Sequence, residues 1–190
     1  TVELCARRAE RVLDGVARLA SHLGALCGEA PPSRNHVLDL LSNAKRRKEE
    51  GRVDDAVARL YRAIEAVAQV ALKTRHEIES TERVPLERVP ESVRPEWAPR
   101  AKDGVVALGL QDAYTLLASL NDPLGEKFRS AALNGTKSPL AARNRSILAH
   151  GFDRVSENVF EKLWTTALSL ADIEEASLPS FPTLGDKAEH

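Results

Sequence analysis

Arg143, Asn144, Arg145 and His150 stand close together in the stretch LAARNRSILAHGFDR, residues 140 to 154. A guanidinium stabilises spread negative charge such as that of a phosphodiester, and an imidazole exchanges a proton near neutral pH. At about 100° per residue on a helix, Arg143, Ser146 and His150 share one flank. Leu140, Ile147 and Leu148 mark the apolar side, with Asn144 among them and Arg145 beyond it. An asparagine on an apolar side costs free energy unless it is hydrogen-bonded, so Asn144 is expected to hold its neighbours in place. The plainer reading is that His150 stabilises the negative end of a helix dipole and that the arginines are solvated.

Those residues need a scaffold, and the punctuation of the chain draws one. Steps of three and four between apolar residues run through 2–27, from Val2 and Leu4 to Leu23 and Leu26, until Gly28 and Pro31–Pro32 stop the helix. A second helix is predicted over 35–50 and a long third over 53–79, broken at Gly51, so that 35–80 form an antiparallel hairpin. The hairpin looks like a tetratricopeptide unit, but no second copy follows, and it reads as a packing unit. Pro85, Pro90, Pro95 and Pro99 exclude a long helix from 81–104. Helix resumes within 105–120, at the latest from Leu110. Asp122 and Pro123 open another helix, Ser138 and Pro139 the one that carries the motif and ends at Gly151, and 156–175 make the last. No segment alternates with period two for long enough to be a strand. The fold class expected is all-α, with about seven or eight helices over 1–178 and a tail at 179–190.

Composition narrows the chemistry. With 27 basic and 28 acidic residues there is no global field to draw in nucleic acid, so any contact must come from a local patch. The cluster KRRK at 45–48 offers one, although a helix end paired with Glu49 and Glu50 is the expected state. Trp97 could stack a base or pin the proline-rich loop to the body, the second being expected. Cys5 and Cys27 lie about 33 Å apart on one helix and are read as reduced thiols of a cytoplasmic protein. No apolar run spans a membrane. Asp153 stands alone beside the motif, so no carboxylate cluster is offered to Mg²⁺, and no cofactor or metal is expected. The chain begins without Met and holds none, which is read as a piece of a longer protein.

RNRSILAHG resembles the Arg-x(4–6)-His motif of HEPN-domain ribonucleases. Arg145 to His150 matches with four intervening residues. Arg143 to His150 matches with six, and its following Asn144 suits the pattern better. DLLSNAKRRKEEGRVDDAVARLYRAIEAVAQ and GLQDAYTLLASLNDPLG are similar to the helical region of CRISPR-associated proteins that join a CARF ligand-sensing domain to a HEPN domain. This resemblance covers roughly residues 36 to 155. It implies a metal-independent endoribonuclease that cuts single-stranded RNA by attack of the 2′-hydroxyl, at a composite site between two protomers of a homodimer. It also implies an upstream sensor, absent from these residues, that binds cyclic oligoadenylate. The catalytic set so implied is Arg143, Asn144, Arg145 and His150. Two alternatives stay open: a non-catalytic helical binding module, and a HEPN domain that binds RNA or acts as a toxin outside CRISPR defence.

Overall fold

A computed structural model describes residues 2–131 and 156–180. Its frame is the expected hairpin, α2 (Arg34–Glu49) and α3 (Val53–His76). Ser33 caps α2, its hydroxyl accepting from the backbone N–H of His36. Gly51, with φ +74°, supplies the left-handed backbone that lets the chain reverse. Asp54 and Asp55 in the first turn of α3, and Lys73, Arg75 and His76 in its last, oppose the helix dipole at both ends. Glu77 then turns left-handed and the N–H of Ile78 closes on the carbonyl of Leu72.

Ten of the 24 residues of α3 are buried, and three other helices pack on it, so this helix is the centre of the core. It packs against α2, α5 (Leu110–Ser119) and α7 (Glu157–Ala171). Burial of each large aliphatic side chain here, Leu60, Ile64 and Leu72 among them, contributes roughly 1.5–3 kcal/mol. The last helix turns Phe160, Leu163, Trp164, Ala167 and Leu170 inward, as its period predicts.

The proline-rich segment holds only the short α4 (Arg94–Trp97) and single turns of 3₁₀ helix. It departs from expectation in one respect. Val84–Pro85 (β1) and Val105–Val106 (β2) form a two-stranded antiparallel ladder, with Val84 opposite Val106 and Pro85 opposite Val105. Two residues per strand leave no alternation to read. Val84, Val89, Trp97, Val106 and Leu108 from this segment are buried, so the loop is part of the core.

The first helix, α1 (Val2–Gly28), follows its period but not the packing that period suggests. Gly15 is its only residue described as buried, and Val12, Leu19 and Leu26 are half-buried beside it. Leu13 is 67% exposed, Val16 49% and Leu23 46%. Among the described residues the fold is thus all-α with one minimal ladder, as its composition of helical periods predicts.

Candidate functional site

Arg143, Asn144, Arg145 and His150 lie outside the described residues, as do the predicted helix over 138–150, its boundaries at Ser138, Pro139 and Gly151, and Asp153. The structure does describe how the chain enters and leaves that stretch: through α6 (Pro123–Ser130) before it and α7 after it.

Asp122 fixes the start of α6. Its carboxylate caps the helix by accepting from the Leu124 N–H at 2.9 Å, with Pro123 at the first helical position. The side chain is only 3% exposed. Arg75 Nη1 donates to both of its oxygens, at 3.0 and 3.2 Å, and His76 Nε2 lies 2.9 Å from Oδ2. Burial would raise the Asp122 pKa, but the hydrogen bonds from Leu124, His76 and Arg75 outweigh it, and the carboxyl is held below its ordinary value. A carboxylate so occupied has no lone pair directed to a substrate. Its role is to bind the C-terminal end of α3 to the N-terminal end of α6.

A second lock lies one turn on. Gly125 meets the backbone of Ala118 so closely that a Cβ would sit 2.3 Å from the Ala118 nitrogen, so α5 and α6 touch where neither side has room for a side chain. Phe128 stacks on Tyr114 with ring centroids 3.9 Å apart. The Tyr114 hydroxyl donates to the Ile64 carbonyl at 2.8 Å, and burial pushes its phenol well above the ordinary value. The α5–α6 corner is thereby held against α3.

On the far side, Lys127 of α6 donates to the Ser169 carbonyl of α7. Trp164 Nε1 donates to Glu175 Oε2 at 3.1 Å, and Lys45 reaches Glu175 Oε1 at 2.6 Å. Lys45 first, and Trp164 second, hold the Glu175 carboxyl below its usual range. Arg34 donates to the carbonyls of Ala171 and Asp172, both at 3.2 Å. These contacts seat α7 against both ends of α2 and on α6.

Two sequence-level readings are settled by this packing. Within the KRRK cluster Arg47 pairs with Glu50 as expected, while Lys45 is spent on Glu175 and Lys48 lies 3.6 Å from Glu161 and 3.8 Å from Glu157. These positive charges tie α2 to α7. Trp97 is 1% exposed beneath the Arg100 guanidinium, 5.3 Å from its ring centre, so it pins the loop and has no free face for a base.

A cleft of about 180 Å³ between α2, α3, α6 and α7 has an apolar floor and carries Arg34 and Arg75. It is smaller than the roughly 300–1,000 Å³ of ordinary small-molecule pockets. Among the described residues, no group of three or more His, Cys, Asp or Glu side chains is placed to hold a metal ion. No helix among them is long and apolar enough to cross a membrane. Both cysteines are free and exposed.

Sequence reading found Asp122 as a cap but missed Arg75 and His76 as its partners. They lie 47 and 46 residues away from it. The one local signal was a basic last turn on α3, which a dipole argument already accounts for.

Compared with known proteins, residues 30–174 match the family model described as the Csm6 HEPN domain, about three quarters of the chain. The match takes in every element from α2 to α7 and the stretch that carries Arg143, Asn144, Arg145 and His150. No curated protein and no solved structure matches the chain.

Proposed function

From the premise that this chain belongs to the Csm6 HEPN domain family, and so to the ribonucleases of CRISPR-associated proteins, we propose that it cuts single-stranded RNA without a metal, at a site built from two copies of the 143–150 motif. The supporting observation is the family match itself, which runs through the motif and through the helices on both sides of it.

In this reading the 2′-oxygen of one nucleotide attacks the adjacent phosphorus. A P–O2′ bond forms and the P–O5′ bond breaks, leaving a 2′,3′-cyclic phosphate and a 5′-hydroxyl. One proton leaves the 2′-hydroxyl and one reaches the departing 5′-oxygen. His150 is the proton-handling group. Arg143 and Arg145 stabilise charge on the phosphate, and Asn144 orients them. The partner is single-stranded RNA, the working unit a homodimer, and cyclic oligoadenylate acts only through a sensor domain outside these residues.

The deciding experiment is cleavage of end-labelled single-stranded RNA with EDTA present and with a single 2′-deoxy substitution at the cut. Cleavage should survive the chelator and stop at the deoxy position. Cutting that needs a divalent ion, or that proceeds at the deoxy position, overturns this mechanism.

A further inference from the structure

The first helix precedes the region matched by the family, and nothing in the chemistry above uses its exposed face. That face carries Ala9, Leu13, Val16, Ala20 and Leu23, all exposed. Their steps are four, three, four and three residues, the 3.5-residue period of a helix that packs along another helix. The half-buried side of α1, marked by Val12, Leu19 and Leu26 around Gly15, is a different face. The stripe is therefore surplus to the packing of α1 on its own body. From Ala9 to Leu23 the stripe runs about 21 Å along a helix about 10 Å wide, a footprint of roughly 200 Å².

The pattern itself indicates the occupant. Reversed about Val16, the stripe fits its own copy. Val16 meets Val16, Ala9 falls opposite Leu23, and Leu13 falls beside Ala20. On either side of the central Val16 pair a large side chain faces a small one, as a close-packed seam requires. Parallel pairing would stack Leu23 on Leu23 and leave gaps where Ala9 meets Ala9 and Ala20 meets Ala20. Antiparallel pairing also opposes the two helix dipoles.

We propose that α1 is a self-association surface that pairs antiparallel with α1 of a second copy of this chain, about a two-fold axis at Val16. The reversal sets Cys5 of each copy opposite Cys27 of the other. Both thiols are free and exposed. Within one copy they are about 33 Å apart along the helix and cannot bridge.

The cysteines supply the test, on the purified 190-residue chain oxidised with diamide. Covalent dimers should form, and peptide mass spectrometry should identify a Cys5–Cys27 linkage. Cys5→Ser and Cys27→Ser should each lose at least tenfold of the cross-linked product, and mixing the two variants should restore it. Val16→Glu should lower the yield of the Cys5–Cys27 linkage at least tenfold while the helix content of the chain stays unchanged, because Val16 is half exposed. Single variants that cross-link as well as the parent would show parallel or random contact and overturn the proposal. So would a mixture that fails to cross-link, or a Val16→Glu protein that forms the Cys5–Cys27 linkage like the parent. A chain that stays monomeric and binds phosphatidylserine vesicles through this stripe would also overturn it, since a lipid surface would then be the occupant. None of these readouts uses RNA cleavage, so this inference and the ribonuclease reading fail separately.

Discussion

His150 and Asp122 show two ways in which one polar side chain serves this protein. For His150 the proposed work is proton transfer, typically worth about 10²–10⁴ in rate. His150→Ala should therefore lower the single-turnover cleavage rate by about that factor with the thermal melt unchanged. Each arginine donor is typically worth about 10²–10³. Arg143→Ala should cost more than Arg145→Ala, because a straight-helix projection of the sequence puts Arg143 on one flank with His150. The reverse order would show that a straight-helix projection misplaces the motif. Asp122 works in the fold instead. Its folded pKa is lowered, so the stability it contributes is present above the unfolded value of about 3.9 and is lost as pH falls through the folded pKa. Asp122→Asn should cost about 1–2 kcal/mol near pH 7, discounted because Arg75 is itself more than half exposed. In urea melts the gap between parent and variant should narrow as pH drops below about 4; a gap as large at pH 2 as at pH 7 would contradict the ionic account.

The helices were legible in the sequence wherever their ends are chemically marked. Gly51 parts α2 from α3, and Asp122–Pro123 opens α6 where those residues predict. Contacts between elements were not legible, because period reports that a face is apolar and not what covers it. The first helix shows this: its apolar face was readable, and its exposure was not. The β1–β2 ladder escaped for a related reason, since its two short partners lie some twenty residues apart in sequence. Of the candidate site, the residue types and spacing were readable, while their mutual distances lie outside the described residues. The closest helix contact, Gly125 on Ala118, gives a prediction at this level. Gly125→Ala should destabilise by about 1–3 kcal/mol through overpacking, seen as a lower melting temperature. Ala118→Gly should not rescue it, because the nearest clashing atoms are the Ala118 backbone nitrogen and Cα. Full rescue would mean that the methyl group, and not the backbone, sets the distance.

For the whole molecule, the proposed composite site makes activity a property of pairs. At concentrations well below the dissociation constant the dimer population falls with the square of protein concentration, so halving the protein should lower the cleavage rate about fourfold. A rate strictly proportional to protein over a hundredfold dilution would place a complete site in one chain. Pairing through α1 and pairing across the motif involve different parts of the protein. Val16→Glu therefore reports on pairing through α1 and His150→Ala on cleavage, and their effects should combine independently.

The grip of Arg34 on the carbonyls of Ala171 and Asp172 has a consequence for synthesis on the ribosome. The guanidinium finds its first acceptor 137 residues further along the chain, and α3 also waits for a late helix to cover one of its sides. The motif stretch therefore emerges before the domain can close, and a chain arrested at Ala131 shows bare apolar surface to chaperones. Only when the sequence through Leu178 has cleared the exit tunnel can Lys45, Trp164 and Glu175 join and the last helix seat itself. A nascent chain that lacks its last helix leaves the side of α3 that this helix covers open to solvent.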